Sequence, residues 1–368
     1  MNPDFKDIIR EFQFEGDFLS ANIYGTGHIH DTYAALFQAG EDIHRYILQR
    51  INQHVFRDPE GVMSNVLAVT AHLRRKIIAA GGDPQRETLN LIPTLDGNSY
   101  YRTAGGDYWR SFTFIEGART YDFVENLDHV YNAAKAFGNF QNMLSDFPSE
   151  QLVETIPNFH HTGIRYQVFL SAVESDVVNR ARFCQPEIDF VTKRADMTSI
   201  LINMLARGDL PERVTHNDTK FNNVMIDDQT GEGICIVDLD TVMPGLSSYD
   251  FGDAIRSMAN TAAEDEADLS RVNFVLKVYR CYTRGYLAAA GDILTAQEIE
   301  QLPFSAILMT LECGMRFLTD HLQGDTYYRI HRQNHNLDRC RTQFKLVSDM
   351  EEQFDLMTEI IEHYRQGR

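Results

Sequence analysis

The stretch Val214–Asp228, VTHNDTKFNNVMIDD, sets His216, Asn217, Asp218 and Asn223 between two apolar runs. Asparagine and aspartate sit poorly inside strands and helices and well in loops. The pattern therefore predicts an acceptor-rich loop leading into a short strand at Val224-Met225-Ile226. A second apolar run, Gly233-Ile234-Cys235-Ile236-Val237, follows and ends on Asp238. A buried strand that ends on a carboxylate typically aims it into a site. Any fold this chain adopts must bring the His-x-Asp-x-x-x-x-Asn loop and the Asp238 strand end together.

Phosphoryl transfer from a nucleotide needs such a set. One carboxylate orients the attacking hydroxyl and takes its proton, while an amide and a second carboxylate hold Mg2+ against the phosphates. Asp218 fits the first role, and Asn223 and Asp238 the second. The competing interpretation is that Asp218 and Asn223 are turn residues bonded to their own backbone. Asp250-Phe251-Gly252 spells the metal motif of protein kinases, but it follows Pro244-Gly245-Leu246-Ser247-Ser248 and not an apolar strand. The metal role is therefore assigned to Asp238, with Asp250 and Asp253 expected to cap the next helix and brace the loop. Asp240 reads either as a partner behind Asp238 or as a solvated turn residue.

The 368 residues exceed one compact core and predict two lobes, 1–116 and 117–368. The first lobe mixes helix and strand. A short helical pattern spans Phe5–Phe14, and two strands flank the glycine turn within Asn22–Tyr33. A strand follows at Arg45–Gln49, then an amphipathic helix at Gly61–Ala80 stopped by Gly81-Gly82, and strands at Leu89–Leu95 and Tyr108–Glu116. Beyond Gly117 helical periodicity dominates, at Val124–Leu144, Tyr166–Arg182, Pro186–Arg207, Glu264–Ala290, Ala296–Leu322 and Thr342–Tyr364. The fold class is α+β, a small sheet-containing lobe and a larger helical one. His160-His161 reads as loop and His331/His335 as a surface pair.

A net charge of −19 and the lack of a dense Lys/Arg run disfavour nucleic acid and anionic membranes as partners. The five cysteines are odd in number and widely spaced, so neither a disulfide framework nor a structural zinc site is indicated. The N-terminal residues lack a signal-peptide pattern and no apolar run reaches membrane-span length, which predicts a cytoplasmic protein.

At these residues the chain resembles the aminoglycoside phosphotransferase and choline kinase superfamily, through V-T-H-N-D-x-x-x-x-N, I-V-D-L-D-T and D-F-G-D. Gly25-Thr26-Gly27-His28-Ile29, Tyr46-Ile47-Leu48-Gln49, Phe114-Ile115-Glu116 and Leu311-Glu312-Cys313-Gly314-Met315-Arg316-Phe317-Leu318 are similar to the N-acetylhexosamine 1-kinase group within it. The resemblance implies a two-lobed protein-kinase-like fold with an antiparallel sheet in the N-terminal lobe. It also implies ATP-dependent phosphorylation of the anomeric hydroxyl of N-acetylglucosamine or N-acetylgalactosamine, with Mg2+ as cofactor and a monomeric chain. On that resemblance Asp218 is the base and Asn223 and Asp238 the metal ligands, while His28, Arg316 and Tyr327 contact the sugar. Gly25, Gly27, Pro93, Phe114, Ile115 and Glu116 belong to the nucleotide site, the last three as the hinge.

Each assignment has a structural rival. His28 could belong to a plain turn, Glu312 and Arg316 could be a helix-surface ion pair, Tyr327 could be packing, Pro93 could mark a strand edge, and Phe114 and Ile115 could be core. The chain also departs from the kinase pattern. The third strand carries Gln49 where a kinase has lysine, Asn65-Val66-Leu67-Ala68 offers no glutamate partner, and strand alternation turns Arg50 away from Gln49. Competing readings are a kinase of aminoglycosides, choline or homoserine, a silent binding module, and a mucin-sugar desulfatase. The last is disfavoured because Cys184-Gln185-Pro186-Glu187 leads to Ile188 and not to arginine.

Overall fold

The computed structural model describes residues 5–25 and 29–366. The N-terminal lobe comprises α1 (Phe5–Ile9), β1 (Asp17–Ile23), β2 (Asp31–Ala39), β3 (Asp42–Arg50), α2 (Pro59–Ala79), β4 (Leu91–Ile92), β5 (Tyr101–Arg102) and β6 (Tyr108–Thr113). Its strands form one antiparallel sheet in the order β1-β2-β3-β6-β4, with β5 also paired to β6. Ala39 opposite Asp42 leaves a two-residue turn, and Gly40 at φ +64° supplies the positive dihedral that such tight hairpins need.

Alternation along β3 sorts its side chains. Tyr46 and Leu48 are buried in apolar clusters that include Phe37, Ile8 and Trp109. Ile47 and Gln49 face the other way and line the interlobe cleft. Arg110 on β6 stands opposite Gln49. Helix α2 starts at Pro59 behind Asp58, whose side chain accepts the Gly61 N–H at 2.9 Å.

The C-terminal lobe comprises β7 (Ala118–Arg119), α3 (Leu127–Met143), α4 (Thr162–Ser175), α5 (Gln185–Thr192), α6 (Ile200–Arg207), β8 (Arg213–Thr215), β9 (Val224–Asp227), β10 (Gly233–Ile236) and β11 (Met243–Gly245). Then follow α7 (Ser247–Met258), α8 (Leu276–Ala290), α9 (Ala296–Leu322), α10 (His335–Glu352) and α11 (Phe354–Gln366). Two small antiparallel sheets, β10-β9-β7 and β8-β11, carry the loops that face the cleft. Beneath them Phe251 is fully buried against the rings of Tyr279, Tyr282 and Tyr286 at 5.9, 5.6 and 5.4 Å. Each such buried ring contributes on the order of 2–3 kcal/mol.

The α+β, two-lobed architecture is the one expected, and the departures have local causes. The helix expected over 186–207 is two helices, because Thr198 and Ser199 bond back to the carbonyls of Ala195 and Asp196 at 2.6 and 3.2 Å and break the ladder. The helix expected from Glu264 starts only at Leu276. Asp268 and Thr261 hold the intervening chain as a loop through Ser270 N–H and Arg271 O at 3.1 and 2.6 Å. The final helix is broken at Gln353 into α10 and α11. The strand expected over 89–95 shrinks to Leu91–Ile92, since Pro93 has no N–H to continue it. The first helix stops at Ile9, and Phe12 forms a bridge with Thr94. Helix α4 runs from Thr162 and stops at Ser175 where Asp176 turns left-handed at φ +34°. All five cysteines are free thiols. No helix among the described residues is long and apolar enough to cross a membrane.

Candidate active site

A cleft of about 1190 Å³ separates the sheet from the helical body. Of the expected site residues it gathers Asp218, Asn223, Asp238, Arg316, Tyr327, Phe114 and Ile115. Gly25, Pro93 and Glu116 are not among its lining residues, and His28 and Gly27 lie outside the described residues.

The catalytic-type loop is braced from three sides. Asn217 takes a left-handed φ of +64°, which asparagine tolerates better than most residues. His216 donates from Nε2 to the Val237 carbonyl at 2.9 Å and accepts the Asp218 N–H on Nδ1 at 3.3 Å, tying the loop to the strand that carries Asp238. Asp250 accepts the N–H groups of His216 and Asn217 at 2.9 and 2.7 Å. The expected loop brace is therefore Asp250, but the capping role is corrected. Asp250 and Asp253 lie inside α7, and Asp253 pairs with Arg256 at 2.8 Å.

Asp218 Oδ1 lies 2.8 Å from Lys220 Nζ. Burial works to raise the Asp218 pKa, and Lys220 more than offsets it, so the carboxyl is held below its usual value. Asn223 donates from Nδ2 to the Asp218 carbonyl at 2.7 Å. Its Oδ1, the atom a cation needs, has no hydrogen bond among the described residues. Asp238 follows β10 with φ +59°. Its pKa is raised, first by burial and then by Asp240 and Asp218. A carboxylate crowded by others, next to a free amide oxygen, is the donor chemistry that hard divalent cations take. A ligand atom each from His30, Asp238 and Asp240 lie within 4.8 Å of one another. Asp240, however, is already engaged.

The third-strand position shows what stands in place of lysine. Gln49 donates to Thr32 Oγ1 at 2.9 Å and accepts Arg110 Nε at 3.0 Å. Arg110, 2 % exposed, makes a two-pronged pair with Asp240, its second contact at 2.7 Å. His30 reaches the same carboxylate at 2.5 Å. Asn65 on α2 does not reach Gln49 and donates to the carbonyls of Val153 and Val242 at 2.8 and 3.0 Å. Arg50 points to the opposite face and pairs with Asp31, as alternation requires.

At the hinge Ile115 is buried beside Met225 and Val237. Its N–H and C=O have no partner among the described residues, which leaves one donor and one acceptor open beside the cleft. Phe114 lines the cleft under the Arg45 guanidinium, 3.9 Å from its ring centre. Glu116 faces away to pair with Arg45 and gives its carbonyl to Arg86 at 3.1 Å. The Pro93 carbonyl accepts the Gln13 N–H at 2.9 Å, so Pro93 serves the sheet edge.

At the far end α9 presents Glu312 and Arg316. They are not a surface ion pair: Glu312 is 1 % exposed and bonds His160 at 2.7 Å. Arg316 stacks over Phe159 and Tyr328 at 4.7 and 5.8 Å and has no ion pair among the described residues. Tyr327 stands on a loop pinned by Asp320, which accepts the N–H groups of Thr326, Tyr327 and Tyr328 at 2.8, 2.8 and 2.9 Å.

Sequence reasoning missed Lys220, His160 and Arg110 as site residues. For Arg110 a signal existed, a charge inside the apolar run Tyr108–Thr113. For His160 there was none.

A sheet-bearing lobe closed over a helical lobe, with a His-x-Asp loop and a strand-end aspartate at the junction, defines a kinase-like phosphotransferase fold. The chain belongs to the phosphotransferase enzyme family, whose model matches residues 23–284. Among solved structures it is similar to an aminoglycoside phosphotransferase from Alicyclobacillus acidocaldarius, at 10% identity over 95% of each chain with a TM-score of 0.63. It is also similar to a microcompartment-associated aminopropanol kinase (14% identity, 96% and 97% covered, TM-score 0.56). A third similar structure is an amicoumacin kinase in complex with AMP-PNP and Ca2+ (12% identity, 92% and 90% covered, TM-score 0.56).

Proposed function

We propose that the protein is a small-molecule kinase that moves the terminal phosphoryl group of ATP to the anomeric hydroxyl of N-acetylglucosamine or N-acetylgalactosamine. Asp218 orients that hydroxyl and takes its proton as the new O–P bond forms and ADP leaves. Asn223 and Asp238 would hold Mg2+, which when bound offsets charge on the phosphates. Ile115 offers backbone groups to the base, and Lys220 sits against Asp218, where it keeps the base ionised. The 1–116 and 117–368 lobes would carry nucleotide and acceptor respectively.

The observation that carries the sugar reading is the charge at the acceptor end. Glu312 pairs with His160, Asp325 with Arg180, and Asp253 and Glu264 with Arg256. Arg316, like its neighbour Arg165, has no carboxylate ion pair among the described residues, and it already occupies aromatic faces that would otherwise receive an ammonium group. A surplus guanidinium disfavours polycationic antibiotics, choline and aminopropanol-type amines, and suits the carbonyl and hydroxyl oxygens of an acetamido sugar. Coupled ADP release tests this with N-acetylglucosamine, N-acetylgalactosamine, choline, kanamycin and homoserine as acceptors. Turnover confined to the acetamido sugars is expected; a preference for any cationic acceptor would reject the reading.

A further inference from the structure

His160 Nδ1 lies 2.7 Å from Glu312 Oε1, and its Nε2 lies 2.9 Å from the Asn217 carbonyl oxygen. An ionised carboxylate and a carbonyl are both acceptors only, so a neutral imidazole, with one N–H, can serve just one of them. Other buried histidines differ, among them His335, which the sequence placed on the surface and the fold buries at the start of α10. His216 accepts the Asp218 N–H and donates to Val237 O, His30 accepts the Asn52 N–H and donates to Asp240, and His335 accepts the His331 N–H and donates to Asp265. Each of these rings faces one donor and one acceptor.

Glu312 is as unusual as its partner. Its Oε2 is buried and has no hydrogen bond among the described residues, although the residue lines the cleft. A buried carboxylate oxygen left unpaired is costly unless a ligand supplies the donor. Asn217, the other partner of His160, immediately precedes Asp218. One histidine thus connects a vacant acceptor oxygen to the peptide that carries the base.

We propose that Glu312 binds the phosphoryl acceptor by taking one of its hydroxyl or amide protons on Oε2, and that His160, as an imidazolium, is the positioning residue that fixes Glu312 relative to Asp218. This rests on the kinase reading above and extends it to a residue pair. Arg316 lies one turn beyond Glu312 on α9, so the two offer an acceptor and a donor side by side. The ligand they recognise carries a hydrogen-bond donor next to an oxygen acceptor, as vicinal hydroxyls or a hydroxyl beside an acetamide do. The charged and titratable groups around the pair are Arg316 on α9, Arg165 on α4 and Tyr249 on α7, whose ring is 5.4 Å from His160. Burial works to raise the Glu312 pKa, but His160, Arg316 and Arg165 hold the carboxyl below its usual value.

Two measurements on the full chain test this. The first is nitrogen-15 NMR of the histidine side chains at neutral pH, with His160 assigned from the spectrum of H160Q. Protons on both ring nitrogens are expected, and a singly protonated His160 overturns the proposal whatever the enzyme phosphorylates. The second is steady-state kinetics of E312Q with N-acetylglucosamine and N-acetylgalactosamine, after its melting temperature is matched to the wild type. A 10- to 100-fold rise in acceptor KM with MgATP KM within twofold is expected, the size of one lost bond to a charged group. H160Q should lower kcat as well, because the Asn217 peptide loses its tie. An unchanged acceptor KM in E312Q overturns the proposal. A wild-type protein that phosphorylates no acceptor refutes the kinase reading instead, and the proton count on His160 still decides the pair.

Discussion

Arg110 of the sheet lobe grips Asp240 of the helical lobe with two prongs, two residues beyond the expected metal ligand Asp238. Protein kinases set a lysine on the third strand against a helix glutamate. In this chain the third strand carries Gln49, and the buried ion pair runs between lobes. Asp240→Ala would leave Arg110 buried with the Gln49 amide oxygen but no carboxylate. Removing one member of such a pair costs about 3–5 kcal/mol, so urea denaturation should give a loss of that order. A loss below about 1 kcal/mol would mean that Arg110 finds another partner.

Glycine at 252 is required by packing and not by phosphate binding. A Cβ there would meet the Ser305 carbonyl oxygen at 2.4 Å, where α7 crosses α9. Gly252→Ala should cost about 1–3 kcal/mol or more through forced backbone shifts. The thermal melt checks this, and an unchanged melting temperature contradicts the close crossing.

Glu298 gives a pH signature. It takes Arg213 on both oxygens at 2.6 and 2.8 Å, and Ser247 Oγ and Thr295 N–H at 2.8 Å each, which fastens β8 to the start of α9. Burial works against its ionisation, but Arg213 and the other donors prevail and its pKa is lowered. A lowered folded-state pKa contributes stability above the unfolded value of about 4.3 that is lost as pH falls through the folded one. Glu298→Gln should therefore be clearly less stable than the parent at pH 7, with the two melting curves converging as the solution is taken below pH 4. A gap that persists at pH 3 would assign the loss to shape and not to charge.

Asp238 shows the opposite sign. Its side chain is exposed in the cleft, where desolvation by the cleft walls and the charges of Asp240 and Asp218 raise its pKa and work against the ionised form. Asp238→Asn should raise the melting temperature without metal or nucleotide and abolish the further rise that Mg2+ with a non-hydrolysable ATP analogue produces in the parent. Calorimetric scans of both proteins, with and without those ligands, check it. An equal ligand-induced rise in the variant would remove Asp238 from the metal site.

The sequence made the local parts of this account legible. The His216–Asn223 loop, the strand ending on Asp238, helix α9 from Ala296 to Leu322 and the outward turn of Arg50 all follow from spacing and periodicity. Partners far apart in sequence were not legible. Nothing near His160 announces Glu312, 152 residues away, and nothing near Asp250 announces the N–H groups of His216 and Asn217. Asp250 looked like a cap because a helix follows Pro244-Gly245; the helix instead begins at Ser247, early enough to enclose it. Breaks inside helical patterns, as at Thr198, depend on a side chain choosing a nearby carbonyl, which periodicity cannot register.

The most direct measurement is phosphorus NMR of the protein with MgATP and N-acetylglucosamine or N-acetylgalactosamine, beside Asp218→Asn as control. A new phosphomonoester signal coupled to the anomeric proton is expected. In the control that signal should form about 10²–10⁴-fold more slowly, the usual contribution of a positioned base, while nucleotide binding is retained. Phosphate on another hydroxyl, transfer only to kanamycin or choline, or an unimpaired Asp218→Asn would contradict it.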